Sequence, residues 1–297
     1  MRKIKKILLS GATGQLGQSF QQLAGQYPQY DFTFADRSHF DLSQTASIEA
    51  YCQQHTFDLI INCAAYTAVD QAESDAELAD AINHLAVQKL AEVACQQQAK
   101  FIHISTDYVF NGVQHRPYVE TDMVAPSSVY GATKLAGEQA LLKAMPSNAL
   151  IIRTSWVYSP FANNFVKTML KLGAQRDSLT VIFDQVGTPT YAPDLAEAIM
   201  QMIATDGFKQ PNNPTEMYHY SNEGVCSWYD FAKTIFELSG TVCAVSPIET
   251  KDYPTPAKRP AYSILNKAKI KQQFGLTIPY WKDSLRRCIS VLQEKTS

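Results

Sequence analysis

Ile7-Leu8-Leu9-Ser10-Gly11-Ala12-Thr13-Gly14-Gln15-Leu16-Gly17 decides how the first third of this 297-residue chain folds. A short apolar run ends at a glycine loop, and a helical pattern starts inside that loop. Glycines there permit a tight turn, close backbone approach and close helix–strand packing. The new helix presents unpaired N–H groups and a partial positive charge, which suits a diphosphate. Gly11, Thr13, Gly14, Gln15, Leu16 and Gly17 are therefore candidate cofactor residues. The spacing is Gly-x-x-Gly-x-x-Gly, and the competing reading is a turn with no ligand.

Outward from that stretch, strand and helix signals alternate. Further strands are expected at 30–35, 57–63, 101–105 and 150–153, with helices at 15–25, 43–55, 72–98 and 129–145. Such alternation predicts an α/β fold, a doubly wound parallel sheet whose ligand binds beyond the carboxyl ends of the strands. After residue 155 the pattern loosens. Helices are expected at 163–174, 193–204, 227–239, 267–274 and 281–294, a strand at 179–183, and a loop at 208–215. A smaller α/β substrate-binding cap is expected from 154–177 and 209–297. It would be grafted onto a dinucleotide-binding unit at 1–153, with segments near 178–208 returning to the sheet.

Asp36 closes the second strand, where a carboxylate can accept hydrogen bonds from a ribose and favour NADH. Arg37 beside it can meet a 2′-phosphate, so NADPH and NADH are expected to compete closely. Asp41 and Leu42 are candidates to frame the adenine, unless Ser43 there only caps a helix. Ala64, Ala65 and Tyr66 follow the third strand, and small residues let a dinucleotide lie against backbone or simply pack.

Tyr130 and Lys134 stand one helical turn apart and leave one face of a helix. A phenol near pKa ~10 is a poor acid at neutral pH. A neighbouring ammonium is expected to bring it toward the working range. The spacing alone is weak, because Tyr229 and Lys233 repeat it. The first copy has context: Ser105 and Thr106 close the fourth strand with hydroxyls that can hold a carbonyl oxygen opposite the phenol. The second copy lies among Trp228, Phe231 and Phe236 and reads as packing.

Glycine loop, Ser-Thr strand end and Tyr-x-x-x-Lys helix, in that order, resemble the short-chain dehydrogenase/reductase superfamily and its Rossmann-type fold. Ser105-Thr-Asp-Tyr-Val-Phe110, Arg153-Thr-Ser-Trp-Val-Tyr158, Asn163-Asn-Phe, Ser227-Trp-Tyr and Thr255-Pro-Ala-Lys-Arg-Pro260 resemble the dTDP-4-dehydrorhamnose reductase family, over nearly the whole chain. The resemblance implies hydride transfer from NADPH or NADH to C4 of a dTDP-linked 4-keto-6-deoxyhexose. Tyr130 would be the proton donor, Lys134 would hold the nicotinamide ribose and lower the tyrosine pKa, and Thr106 would orient the keto oxygen. It assigns sugar-nucleotide contacts to Thr67, Val69, Tyr108, Trp156, Asn163 and Asn164, Trp156 having an alternative reading as a domain-interface anchor.

Two departures narrow this. Some members carry a glutamate after the glycine loop that joins a magnesium-linked dimer; Gln18-Ser19 stands here, so no metal is expected, and a homodimer stays open. Similar dehydratases place an Asp-Glu pair after the threonine, where this chain has Asp107-Tyr108. The rivals are an epimerase or dehydratase, which would recycle its cofactor, and a non-catalytic subunit like the beta subunit of methionine adenosyltransferase. A net charge of -2 gives no field favouring nucleic acid or a membrane surface. No apolar run approaches the roughly 20 residues that span a bilayer. Six scattered cysteines suit a reduced, cytoplasmic protein.

Overall fold

The structure is a computed structural model and describes residues 4–294. In chain order the first part runs β1 (Lys6–Ser10), α1 (Gln15–Ala24), β2 (Asp31–Ala35), α2 (Thr45–Gln54), β3 (Leu59–Asn62), α3 (Val69–Ala72), α4 (Ala76–Asp80), α5 (Ala86–Gln96), β4 (Lys100–Thr106), α6 (Val129–Ala144) and β5 (Ala149–Thr154). The second part runs β6 (Val157–Tyr158), α7 (Phe165–Gly173), β7 (Ser178–Ile182), β8 (Val186–Gly187), β9 (Thr190–Tyr191), α8 (Ala192–Ala204), α9 (Asp206–Lys209), β10 (Glu216–His219), β11 (Cys226–Ser227), α10 (Trp228–Ser239), β12 (Ala244–Ile248), α11 (Ala268–Phe274) and α12 (Trp281–Glu294).

Six strands form one sheet in the order β10-β5-β4-β3-β1-β2, and every pairing is parallel. This is the doubly wound α/β architecture expected. Alternate side chains go to opposite faces. Ile7 and Leu9 join Phe20 of α1 and Leu195 and Ile199 of α8 in one core, whereas Leu8 joins Ile48 of α2 and Leu90 of α5 in the other. The chain leaves β1 for β2 on one side and returns to β3 on the other. That reversal opens a crevice at the carboxyl ends of β1 and β3.

A third core gathers α7, α10 and α12 around Val166, Phe231, Ile235, Leu285 and Ile289. The division of the chain expected from sequence needs three corrections. Glu216–His219, within 209–297, is the sixth strand of the main sheet. Ile270, Leu276 and Ile278, from the same stretch, pack on the sheet's core. Ser178–Ile182, expected to return to the sheet, instead pairs β12, and its Leu179 and Val181 enter the third core. Four- and five-residue strands carry too little periodicity to reveal which sheet they join.

The helix expected at 72–98 is also interrupted. α3 ends at Ala72, and a π-helical turn, Ala81–Leu85, separates α4 from α5. Asn83 explains the turn. Its Oδ1 accepts from the Tyr66 N–H at 2.9 Å, and its Nδ2 donates to the Tyr66 carbonyl at 3.1 Å and to Thr133 Oγ1 at 3.2 Å. The extra residue aims one buried amide at both the loop after β3 and helix α6. Gly137 of α6 lets the Asn83 carbonyl approach closely, where any Cβ would collide. Turns of this kind recur at functional sites.

Candidate active site

A crevice of about 670 Å³ lies at the switch point. Its floor is the glycine loop. Gly11 has φ +77°, and a Cβ there would stand 2.7 Å from the Ala64 nitrogen, so only glycine lets β1 and β3 part this closely. Gly14 caps α1 without any side-chain bond, which leaves the first-turn N–H groups of that ten-residue helix to a ligand. Gly17 does not line the crevice; it packs under the loop against the Gly11 carbonyl. These features fit a dinucleotide: a backbone cradle, a free helix N-terminus and no side chain in the way.

Asp36, Arg37, Asp41 and Leu42 line the adenosine end. Ser38 donates to Asp36 Oδ1 from both N–H and hydroxyl, at 2.9 and 2.6 Å, and His39 Nδ1 reaches the same oxygen at 2.9 Å. Those bonds, led by the Ser38 hydroxyl, hold Asp36 well below the usual carboxylate range. Arg37 is largely exposed and only grazes Asp41, at 4.0 Å. Asp41 turns its own loop by accepting from the Ser43 N–H, while Gln44, not Ser43, occupies the cap of α2.

Ala64, Ala65, Thr67 and Val69 line the crevice, but Tyr66 does not. Its backbone is taken by Asn83, and its hydroxyl donates to Asp75 at 3.2 Å. Tyr66, a cofactor candidate from its place after β3, thus turns its backbone to Asn83 and its hydroxyl to Asp75.

At the other end, Ser105, Thr106, Tyr108, Tyr130, Lys134 and Trp156 converge. Ser128 caps α6 by accepting from the Gly131 N–H, which starts the helix one residue before Tyr130. The Tyr108 ring meets Tyr130 edge to face at 5.4 Å. Burial pushes the Tyr130 phenol up to about 12, opposed by a hydrogen bond with Thr106. Burial brings Lys134 down to about 8, partly offset by the charge of Glu138. The sequence predicts that Lys134 lowers the Tyr130 pKa; burial dominates, and the phenol lies above its ordinary value. The lysine nitrogen instead donates to the Ile104 carbonyl at 2.7 Å. A phenol held protonated is nonetheless the form a proton donor needs.

Ser105 is also committed elsewhere. Its hydroxyl donates to Glu138, which takes Arg153 bidentately at 2.9 and 2.7 Å. Arg153 and Glu138 are 3% and 1% exposed, so this pair locks α6 to β4 and β5 in a dry interior. Thr106 stays at the crevice, its hydroxyl accepting from the Tyr108 N–H at 3.2 Å and donating to Asp107 at 3.1 Å. Asn163 and Asn164 line the crevice, but Asn164 is a structural tie. It caps α7 through the Lys167 N–H and donates to Gln15 Oε1 at 3.0 Å. Gln15 in turn donates to the Val157 carbonyl, so the glycine loop is bonded to the second part of the chain.

Among the crevice residues not expected from sequence, Asp107 and Trp228 bear most on the chemistry. Asp107 is 1% exposed, and burial raises its carboxyl to about 6. Trp228 of α10 stacks on Trp156 with ring centres 3.6 Å apart and planes 10° apart. Trp156 has φ +49°, a left-handed conformation that strains a bulky residue by roughly 1–3 kcal/mol. The Ser227-Trp-Tyr motif was the available signal for Trp228; Asp107 gave none beyond adjacency to Thr106. Tyr229 and Lys233 lie outside the crevice, Lys233 exposed on the far groove of α10.

Comparison with known proteins adds a family. The model of the RmlD substrate binding domain matches residues 5–294. A dTDP-4-dehydrorhamnose reductase of Aggregatibacter actinomycetemcomitans is 41% identical over 95% of this chain and 97% of that relative. The crystal structure of such a reductase from Clostridium acetobutylicum superposes with a TM-score of 0.90 at 40% identity, covering 97% of this chain and 99% of that one. That from Bacillus anthracis, solved in complex with NADP, gives 0.90 at 36%, covering 97% and 100%.

Proposed function

The chain belongs to the RmlD substrate binding domain family of dTDP-4-dehydrorhamnose reductases, and on that premise we propose that it reduces the C4 keto group of dTDP-4-dehydro-L-rhamnose to give dTDP-L-rhamnose, using NADPH or NADH. The cofactor supplies the hydride when bound. The observation that carries the chemistry is the meeting of Tyr130, Thr106 and Lys134 at one end of a crevice whose other end is the glycine cradle.

Tyr130 holds a proton at Oη and delivers it to the C4 oxygen as that oxygen gains charge. Thr106 orients the same oxygen. Lys134 meets the nicotinamide ribose and supplies positive charge near the phenolate that forms. Gly11, Thr13, Gly14, Gln15 and Leu16 cradle the diphosphate, with Asp36, Arg37, Asp41 and Leu42 at the adenosine and Ala64 and Ala65 beneath. The sugar nucleotide lies along Thr67, Val69, Tyr108, Trp156 and Asn163. Trp156 and Trp228 exclude water from that end as one stacked unit.

The test is oxidation of NADPH or NADH with dTDP-4-dehydrorhamnose, followed by absorbance, in wild type and Tyr130→Phe. Net consumption of cofactor is expected, which an epimerase or dehydratase would not show. The variant should keep cofactor binding and lose at least ~10²-fold in rate, the usual scale for a general acid. A wild type that binds cofactor without turnover defeats the proposal.

A further inference from the structure

Beneath the crevice a line of buried polar groups joins the glycine loop to Lys134. Ser10, Asn62 and His103 lie on β1, β3 and β4 and are each at most 1% exposed. Their hydrogen bonds have one direction. The Ala64 N–H, a permanent donor, has Asn62 Oδ1 as its acceptor at 3.3 Å, and the Ser10 hydroxyl donates to the same oxygen at 2.6 Å. The amide therefore turns its Nδ2 toward His103 Nδ1, 3.1 Å away. An amide nitrogen only donates, so Nδ1 is the lone-pair nitrogen, and a neutral imidazole then carries its proton on Nε2. Nε2 faces Lys134 Nζ at 3.5 Å. An ammonium offers that N–H only more donors, whereas an amine offers a lone pair.

We propose that His103 is a positioning residue: its Nε2–H, aimed by Asn62, favours the neutral amine of Lys134 over the ammonium and so adds to burial in deciding where the lysine titrates. The inference rests on the function proposed above, in which Lys134 meets the cofactor ribose. Burial and the lysine charge keep His103 neutral, well below its ordinary value, as the tautomer argument requires. Tyr130, Cys63 and Asp107, around Lys134, are shifted away from the window between about pH 7 and 10. Tyr130 on the same helix is pushed up to about 12, and Cys63 after β3 is raised by burial. Asp107 at the end of β4 titrates near 6. Glu138 is bound to Arg153 of β5. Lys134 falls inside the window, at about 8.

The experiment measures NADPH affinity by fluorescence titration from about pH 7 to 10, without substrate, on wild type, His103→Phe and His103→Gln. Affinity should fall in the wild type as Lys134 loses its proton, with a midpoint near 8. In His103→Phe the midpoint should rise by at least about one pH unit, tenfold in proton affinity, toward the ordinary lysine value. His103→Gln keeps an N–H at the Nε2 position and should return the midpoint toward wild type. If His103→Phe does not fold, Asn62→Ser replaces it, since freeing the imidazole tautomer should raise the midpoint as well. A midpoint unchanged in a folded His103→Phe, or in Asn62→Ser, overturns the inference while leaving the function standing. Failure of the wild type to bind NADPH or NADH at all overturns the function, and the inference with it.

Discussion

Glu138→Gln is the sharpest test of how α6 is held over the sheet. The side chain keeps its size, and only the charge goes. Arg153 then sits 3% exposed with no counter-ion, and its Nη1 already lacks a partner. What is left is the one carbonyl oxygen the new amide keeps and the Phe110 ring at 5.0 Å, a cation–π contact worth about 2 kcal/mol when desolvated that is present in both proteins. Removing one partner of a buried pair costs roughly 3–5 kcal/mol. With an unfolding entropy of about 2.1 cal/mol/K per residue, that lowers Tm by roughly 5–8 °C. Urea unfolding should show a lower midpoint at unchanged slope. Replacing both partners, as Glu138→Leu with Arg153→Met, should recover most of the loss, because it removes both charges. A single variant within about 1 kcal/mol of wild type, or a double variant as unstable as the single, would refute the reasoning.

Three further outcomes are expected. Gly137→Ala drives a Cβ into the Asn83 carbonyl, so α6 and the π turn must part; a loss of about 1–3 kcal/mol should appear in urea unfolding, and no loss would mean the seam is loose. Asp107 titrates near 6 in the fold against an ordinary 3.8, so its folded form binds the extra proton and stability is lost as pH rises through that interval. The difference is about 3 kcal/mol, and Asp107→Asn should gain on wild type by up to that amount between about pH 3.5 and 7, a flat difference excluding it. Arg37→Ala should weaken NADPH binding by tenfold or more while barely changing NADH; equal losses would remove Arg37 from the 2′-phosphate.

Much of the site was legible because its signals are local. A glycine loop between strand and helix, and two side chains one turn apart, need only a few consecutive residues. Ser105 shows where local reading stops: its position at the strand end was right, but its hydroxyl serves Glu138, a partner on another element. Lys134 shows the same from the electrostatic side. Spacing puts it beside Tyr130, but burial and the Ile104 carbonyl decide its charge, and neither is visible in sequence. Tyr66 and the π turn at 81–85 meet in one residue, Asn83, whose amide looks ordinary until the turn aims it. β10 was missed because four residues beside a proline- and asparagine-rich loop carry no distinct period.

The strand order also sets a timetable for biogenesis. β1 to β5 have emerged by Thr154, but the strand that covers the outer edge of β5 is Glu216–His219. Roughly 60 residues separate them, several seconds of synthesis at about 5–20 residues per second. Throughout that interval an apolar parallel edge has no neighbour, the condition under which nascent chains join one another or need a chaperone. The glycine loop and the Tyr130 helix already exist by then. The hazard in making this protein therefore comes after its chemistry is encoded, and it closes when His219 takes its place beside Arg153.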